Sequence, residues 1–450
     1  MAEFVIHGNP PLPSADDFIA EDLPPLIHLL PGDPPLVFVV EGSLLFATEP
    51  EFFAVLEKAD AQTQVELLGL HRQAPRQRTK SAELSAPNAI SLNLAQSCNL
   101  SCSYCYADEG RFGGRPGMMS LEVAKAAIDQ LLAGAEGQRV TVGFIGGEPF
   151  LNRDVLYGAV EHAQQRACET GSTVGFSVTT NGTVLTGRDL DLLRQHRFAV
   201  SVSLDGPATV NDKHRRSRNG SSGFEMAIEA LRPLLESPGE AKITARATIT
   251  RQDLRVTERI GGLLSAGFRE VGVSPLRTSP IKELALQDQD WPVFLQEMVQ
   301  AAEVEFEHLA NNGNLRFSNL AIALKQLHAG FCKPLPCGSA ASYVSVSARG
   351  EYFTCHRTID DRRFGLGDVT IGLSTRERES FLRGRHVDLQ QPCRSCWARY
   401  LCGGGCHAEV LSAGRSGCDY IRGWLEYCLL SYDRALREFP TLFSRGGSVQ

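Results

Sequence analysis

The stretch "CNLSCSYCYADEG", Cys98 to Gly110, gathers three thiols spaced C-x3-C-x2-C, with Tyr104 directly before the last. A structural zinc site takes four protein ligands. A cube of iron and sulfur held by only three thiolates keeps one iron open to a substrate or cofactor. The strand-like "AISLNL" just ahead of the triplet, and the pattern that repeats after it, decide between these readings and set the fold.

From Ala89 to about Pro275 strand and helix patterns alternate. The strands are "AISLNL", "RVTVGFI", "TVGFSVTT", "FAVSVSL", "KITARATIT" and "EVGVSPL". Between them run helical patterns such as "SLEVAKAAIDQLLAGA", capped by Ser120, and "RDVLYGAVEHAQQRACETG", ending near Gly171. Six strands, each followed by a helix-length segment, predict a parallel α/β sheet with right-handed crossovers. Eight such units close a full barrel, so six predict an open, partial (β/α)6 TIM-like barrel with its chemistry at the C-terminal strand ends. The triplet follows the first strand. The second ends in "GGEPF": Gly146 and Gly147 let backbone approach a ligand, and Glu148 is placed to accept a hydrogen bond from an amino group. A tight βα turn is the other reading of that motif. The third strand ends at Thr180 and Asn181, the fourth at Ser203 and Asp205, and the fifth carries Arg246. Asp205 and Asp212 are candidate bases or substrate contacts, with a loop cap the alternative for Asp212. The basic run "NDKHRRSR" around Asp212 reads as a solvated loop or a contact for an acidic peptide.

The 450 residues carry a net charge of −7 with no domain-wide basic stripe, which argues against a nucleic-acid partner. The most apolar stretch, "PPLVFVVEGSLLFA", is interrupted by Glu41 and is too short to span a bilayer, so no membrane partner is expected. The opening "MAEFVIHGNP" has neither the basic nor the apolar region of a secretory signal, and a cytoplasmic location is expected. Disulfides are rare there, which makes metal ligation the leading explanation for thirteen cysteines. Cys168, inside a helical pattern, reads as a small buried hydrophobe. Residues 1–70 form a small module: the runs "LVFVV" and "LLFAT" flank Glu41-Gly42, and the helical "EPEFFAVLEKA" follows. Residues 71–88 suit a linker, 89–312 the barrel with a long helix leading out, 313–437 a cysteine-rich domain and 438–450 a tail.

The triplet after a first strand, the aromatic before its last cysteine and "GGEP" after the second strand together resemble the radical S-adenosylmethionine enzymes, over Ala89 to about Thr278. The resemblance implies that Cys98, Cys102 and Cys105 hold a [4Fe–4S] cluster whose fourth iron is chelated by S-adenosylmethionine. It implies that Gly146, Gly147, Glu148 and Pro149 hold the methionyl amine. Asn181 and Ser203 then become candidates for ribose or carboxylate contacts, and Arg246 for the carboxylate. One electron, from an external donor such as flavodoxin or ferredoxin, would cleave the cofactor to methionine and a 5′-deoxyadenosyl radical. Zinc remains the other reading of the triplet.

Further on, Cys337 is followed by twelve residues, Gly350, four residues and Cys355; then comes "CRSCWARYLCGGGC", holding Cys393, Cys396, Cys402 and Cys406. This resembles the SPASM extension of radical enzymes, which binds auxiliary clusters. By that resemblance one [4Fe–4S] cluster takes Cys332, Cys337, Cys355 and Cys406. The other takes Cys393, Cys396, Cys402 and Cys418, with Cys428 the alternative to Cys418, making three clusters in all. Zinc knuckles are the other reading of the spacing. His407, beside Cys406, reads as a satisfied surface histidine, with tuning of a cluster's potential the other reading. The resemblance implies a maturase acting on a ribosomally made peptide or small protein subunit. The tail "CGGGCHAEVLSAGRSGCDYIRGWLEYCL" is similar to the maturation proteins of quinohemoprotein amine dehydrogenase, which form thioethers from cysteine sulfur to side-chain carbons of aspartate or glutamate. The rivals are an anaerobic sulfatase-maturating enzyme making formylglycine and a non-catalytic zinc-binding scaffold. The 1–70 module reads either as a peptide-recognition element or as a structural cap on the barrel.

Overall fold

The computed structural model describes residues 25–70 and 84–443. The expectations for residues 1–24, for 71–83 of the linker and for the last seven residues of the tail lie outside that range. The first described element is a three-stranded antiparallel sheet, β1 (Ile27–Leu30), β2 (Leu36–Val39) and β3 (Leu44–Ala47). Its β2–β3 hairpin turns where the sequence places Glu41-Gly42, with Gly42 at φ 91°, a conformation that glycine adopts without a Cβ penalty. The helix Pro50–Lys58 then packs Phe53 and Leu56 against Val37. Strand β1 and the helix Ala61–Leu67 are further members that the sequence pattern did not single out.

All six predicted barrel strands are present: β4 (Ala89–Ala95), β5 (Arg139–Gly146), β6 (Thr173–Thr180), β7 (Phe198–Ser203), β8 (Lys242–Ile249) and β9 (Val271–Pro275). They lie side by side in sequence order, every neighbouring pair parallel. The intervening helices form for local reasons. Ser120 accepts the Val123 N–H at the start of Leu121–Ala133, a cap contributing about 1 kcal/mol. Strand alternation then divides the sheet. Val140, Val142, Phe144, Phe176, Val178, Phe198, Val200 and Val202 join the main core with Ala127, Leu131, Leu156, Ala159 and Ala163 of the covering helices. Their alternates, among them Ser91, Asn93, Gly143, Ser177, Ser201, Ser203, Arg246 and Thr248, share the other face. A sheet with one apolar face against helices and one polar face is suited to hold a polar ligand on the second.

The sheet does not stop at six strands. β10 (Tyr343–Val346) adds parallel to the free side of β4, with Val344 opposite Ile90, and β11 (Glu351–Phe353), β12 (Gly365–Asp368) and β13 (Gly372–Leu373) continue it antiparallel. The cysteine-rich C-terminus, which fits the SPASM extension, is thereby built onto the barrel's own sheet. Behind it the helix Cys418–Glu438 packs on Asp290–Asn312 and Ser318–His328, with the Tyr420 ring 4.9 Å from Phe294 and 5.7 Å from Trp291. The N-terminal sheet rests on the same region: His28 stacks on Trp397 at 3.9 Å, and Arg399 Nη1 donates to the Pro25 carbonyl at 2.9 Å. Cys168 is exposed, not buried as expected. The helix Arg153–Glu169 buries Leu156, Ala159, Val160, Ala163 and Ala167, and Cys168 falls off that stripe. Among the described residues no helix is long and apolar enough to cross a membrane.

Candidate active site

The cysteine loop leaves the end of β4 and lies against residues 211–217. Ser103 N donates to the His214 carbonyl at 3.1 Å, Ser103 Oγ meets His214 Nδ1 at 2.8 Å, and Leu100 bridges to Ser217. The run "NDKHRRSR" is therefore not a solvated loop: His214, Arg215 and Ser217 are buried against the thiol triplet. The reading failed because Asn211, His214, Arg215 and Ser217 turn inward while Lys213, Arg216 and Arg218 keep their charges in water. At the centre of this contact the Tyr104 hydroxyl donates to Asp205 Oδ2 at 2.6 Å and accepts from Arg215 Nη1 at 2.9 Å. Asp205 is 1 % exposed, and its Oδ1 accepts the Thr248 N–H at 2.9 Å. Both carboxylate oxygens thus tie the loop to the ends of β7 and β8. Asp212 accepts the Phe224 N–H at 3.1 Å, in the first turn of the helix Gly223–Glu236, which is the geometry of the loop-cap reading.

At the end of β5 the backbone of Gly147 passes so close to Ser97 that any side chain there would strike the Ser97 carbonyl. Gly147 N and Glu148 N donate to Ala95 O and Ser97 O at 2.8 and 3.0 Å. Glu148 itself turns inward. It is fully buried and accepts from Thr180 Oγ1 at 2.8 Å, Asn181 N at 2.7 Å and Phe150 N at 3.2 Å. Its carboxylate is occupied in joining β5 to β6, and it is the Gly146-Gly147 backbone that lies beside the cysteine loop. Burial pushes the Glu148 carboxyl up to about 7 from 4.5, against those three donors. The folded protein therefore binds this proton more tightly than the unfolded chain. The group subtracts stability as pH rises from about 4.5 to about 7 and adds no further change above. Unfolding free energies measured across that window should fall more steeply in the wild-type chain than in Glu148→Gln. Parallel pH profiles would show that Glu148 titrates normally.

Asn181 Nδ2 approaches Cys98 Sγ at 3.7 Å and donates to Asn99 Oδ1 at 3.0 Å, while its Oδ1 accepts the Thr183 N–H at 2.9 Å. Ser203 and Arg246 are register partners on β7 and β8. The Arg246 guanidinium crosses Gly272 of β9, where no side chain blocks it, and reaches Ser318 Oγ at 3.4 Å. Sequence reasoning missed Asn93 altogether. It is fully buried on the polar face of β4, and neither its Oδ1 nor its Nδ2 has a partner. A Cβ on Gly146 would come within 3.0 Å of that Oδ1. An orphaned amide beside the glycine pair is what a site for a polar cofactor leaves open, since an unpaired buried amide otherwise costs free energy. The polar residue alternating with leucines in "SLNL" was the available signal.

All thirteen cysteines are free thiols, and twelve of them lie outside the helix that carries Cys168. Cys98, Cys102 and Cys105 lie within electrostatic reach of one another; burial pushes the Cys98 thiol up to about 12 and Cys102 upward. The C-terminal thiols separate into two neighbourhoods. Cys337 and Cys355 feel each other and Cys406. Cys402 and Cys418 each feel Cys393 and Cys396. Cys428 stands apart, fully buried in the main core, and burial alone pushes its thiol up. Cys332 is exposed, on the stretch leading to Cys337. Among the described residues no three His, Cys, Asp or Glu side chains converge on the place of one bare ion, so these are neighbourhoods and not formed coordination spheres. Buried thiols with raised pKa values stay protonated unless a cation compensates the thiolate, and a bound cluster is such a cation source. His407 is buried, not at the surface as expected: Arg385 Nε donates to its Nδ1 at 2.9 Å and Phe381 packs on its ring, at the inner end of a helix whose far end is exposed.

One cleft, lined by loops and short helices, has a volume of about 260 Å³. Its walls are Tyr106, which follows Cys105, the loop after β9 at Thr278–Pro280, and residues near Cys355 and Cys406 that include Arg357 and Glu409. Nothing in the sequence pattern marked these residues, since they are remote in sequence and come together through tertiary contacts.

Residues 92–250 match the family described as the radical SAM superfamily. Among curated proteins the chain is similar to the serine-type anaerobic sulfatase-maturating enzyme of Klebsiella aerogenes, 24% identical over 72% of this chain and 80% of that protein. It is also similar to the mycofactocin maturase of Mycobacterium tuberculosis, 27% identical over 74% of this chain and 81% of that one. Among solved structures it resembles native anSMEcpe with bound AdoMet and a Kp18Cys peptide, at a TM-score of 0.66 and 20% identity, over 78% of this chain and all of that one. At that identity the likeness is one of fold.

Proposed function

We propose, from the premise that this chain carries a radical SAM domain and is an enzyme, that it is a maturase that cross-links a ribosomally made polypeptide. The observation that carries the reading is the separation of the C-terminal thiols into two neighbourhoods, Cys337/Cys355/Cys406 and Cys393/Cys396/Cys402/Cys418, apart from the Cys98 triplet. Three separate thiol sets suit three [4Fe–4S] clusters, one of them open to S-adenosylmethionine. Cys332 completes the first auxiliary set, and Cys418 is placed ahead of Cys428 because only Cys418 has thiol neighbours. When bound, the open cluster and S-adenosylmethionine supply a one-electron cleavage that yields a hydrogen-abstracting radical.

The chain's own residues do the rest. The clamp of residues 211–217 and the Tyr104–Asp205 bond fix the triplet over the end of β4. The Gly146-Gly147 backbone lies beside it for the methionyl amine, with Asn93 and Asn181 offering amides to the polar end of the cofactor. Ser203 and Arg246 line the same face of the sheet. Asp205, with both oxygens engaged, acts by positioning the loop, and Asp212 by capping a helix. The partners are a peptide or small protein subunit and an external one-electron donor such as flavodoxin or ferredoxin. Residues 25–70 sit on the cysteine-rich extension, at the loop that carries Cys396 and Trp397.

The product we assign is a thioether from a substrate cysteine to a carbon. Its formation removes one thiol hydrogen and one C–H hydrogen, so each bridge lowers the peptide mass by about two hydrogens. The bridged cysteine should resist alkylation after strong reduction, unlike a disulfide of equal mass change. A second reading, formylglycine formation, is favoured by the similarity to the Klebsiella sulfatase-maturating enzyme. Formylglycine made from cysteine instead loses sulfur and gains a carbonyl that reacts with hydrazines. Anaerobic incubation with reductant, S-adenosylmethionine and a cysteine-containing peptide from a neighbouring reading frame separates the two by mass where cysteine is oxidised, and by hydrazine reactivity and cysteine alkylation where serine is, since formylglycine made from serine also loses about two hydrogens. Sulfur loss would overturn the thioether assignment.

A further inference from the structure

Arg385 ends the helix Thr375–Arg385 of the cysteine-rich extension and is 5 % exposed. Its Nε donates to His407 Nδ1 at 2.9 Å, and its Nη2 reaches the Gly404 carbonyl at 3.5 Å. Among the described residues no carboxylate lies within ion-pair distance of it. A guanidinium keeps its proton at any working pH, and a buried charge without a counter-charge is strongly destabilising. Such a cation points to an anion that the polypeptide itself does not supply. What surrounds Arg385 is thiol. Its side chain holds the loop between Cys402 and Cys406. Its carbonyl accepts from Gln390 Nε2, three residues ahead of Cys393. Two residues on, Val387 N donates to Pro334 O at 3.0 Å, between Cys332 and Cys337. The charge of Arg385 accordingly acts on Cys393, Cys406 and Cys337, members of both C-terminal sets. Gln390 Oε1 accepts from Arg415, a second guanidinium with no carboxylate at ion-pair distance among the described residues, and its charge reaches Cys418. His407 adds an independent sign. Because Arg385 donates to Nδ1, the ring proton sits on Nε2. That nitrogen has no partner although His407 is 1 % exposed. A buried cation and a buried N–H donor, neither with a protein anion to meet it, make the kind of outer shell that an anionic sulfur cluster uses.

We infer that Arg385 is a counter-charge shared by the two auxiliary clusters and that it raises the reduction potential of both. The inference rests on the cluster reading of these cysteines and adds the residue that sets their potentials. A cluster ligated by four thiolates is a net anion and gains a further negative charge with each electron. A fixed cation therefore stabilises its reduced form more than its oxidised form. Arg385 belongs to neither ligand set, so replacing it leaves every proposed iron ligand in place. Glutamine there keeps an N–H for His407 and removes the charge, while lysine keeps the charge.

The anaerobically reconstituted holoenzyme is titrated with dithionite in the presence of redox mediators, each cluster taking up one electron, and electron paramagnetic resonance reads the reduced fraction. The signal that changes when S-adenosylmethionine is added belongs to the triplet's cluster and serves as an internal control. In Arg385→Gln the reduced-to-oxidised ratio of both auxiliary clusters at a fixed potential should fall about tenfold, a midpoint lower by about 59 mV for one electron. That is the order of effect of one buried unit charge. The triplet's midpoint should not move, and Arg385→Lys should keep both auxiliary midpoints near the wild-type values. A merely structural role would change iron content or unfolding and leave the potential of intact clusters alone. Unmoved auxiliary midpoints in Arg385→Gln, or an equal fall in Arg385→Lys, would overturn the inference. Should Arg385→Gln lose its auxiliary iron, Arg385→Lys decides: wild-type iron and midpoints there uphold the charge, and iron loss there too reduces Arg385 to a folding residue. Zinc in place of iron at the C-terminal cysteines would overturn the cluster reading itself, whereas iron with potentials indifferent to Arg385 overturns this inference alone.

Discussion

Replacing Cys98, Cys102 and Cys105 together with alanine is expected to abolish 5′-deoxyadenosine release while anaerobically reconstituted protein keeps about two-thirds of its iron, roughly eight of twelve atoms per chain. The partition follows from the proposed sets, in which the triplet's loop leaves β4 and the C-terminal thiols neighbour one another. Cys418→Ala should remove about four irons and Cys428→Ala none, since Cys428 is core filling with no thiol neighbour. Iron analysis with electron paramagnetic resonance checks all three variants. Continued 5′-deoxyadenosine release by the triple variant would place the cleavage elsewhere, and stoichiometric zinc in the wild-type protein would sink the cluster reading.

The second large effect belongs to Asp205. Its loss leaves the Arg215 guanidinium, buried beside Tyr104, without a counter-charge, and an uncompensated buried charge costs about 3–5 kcal/mol. Asp205→Ala should lower denaturant stability by that order. It should also lower S-adenosylmethionine cleavage and product formation in parallel, in step with loss of iron from the triplet. Tyr104→Phe, which deletes only the bridging hydroxyl, should cost about 1–3 kcal/mol. A base or substrate contact would behave differently: cleavage would persist, uncoupled, while product disappeared. That outcome for Asp205→Ala would return the residue to the chemistry.

Much of the barrel was legible because strand and helix periods alternate cleanly between Ala89 and Pro275, and because the triplet and "GGEP" sit at strand ends. The extension of the sheet was not, because β10 is four residues long and its partner β4 is remote in sequence; such pairing is decided by tertiary contact. The roles of Asp205 and Glu148 were likewise hidden. Each is a carboxylate at a strand end, where catalysis and bracing look the same until the partners of the oxygens are known. The burial of "NDKHRRSR" and His407 had the same cause: charge in a sequence does not reveal which side a loop turns to a neighbour. The grouping of the C-terminal cysteines was implied by the family resemblance and not by spacing alone, because Cys337 and Cys355 are brought near Cys406 across the intervening Cys393–Cys402 loop.

The insertion of β10 beside β4 also has a mechanical side. A strand that would otherwise bound the barrel is interior, and its outward N–H and C=O groups are paired along the ladder. Cutting the chain ahead of β10 would strip that ladder and bare a flat, apolar strand edge, the kind that recruits other chains. The barrel and its cysteine-rich extension therefore share one continuous sheet, and the extension guards the barrel's own edge.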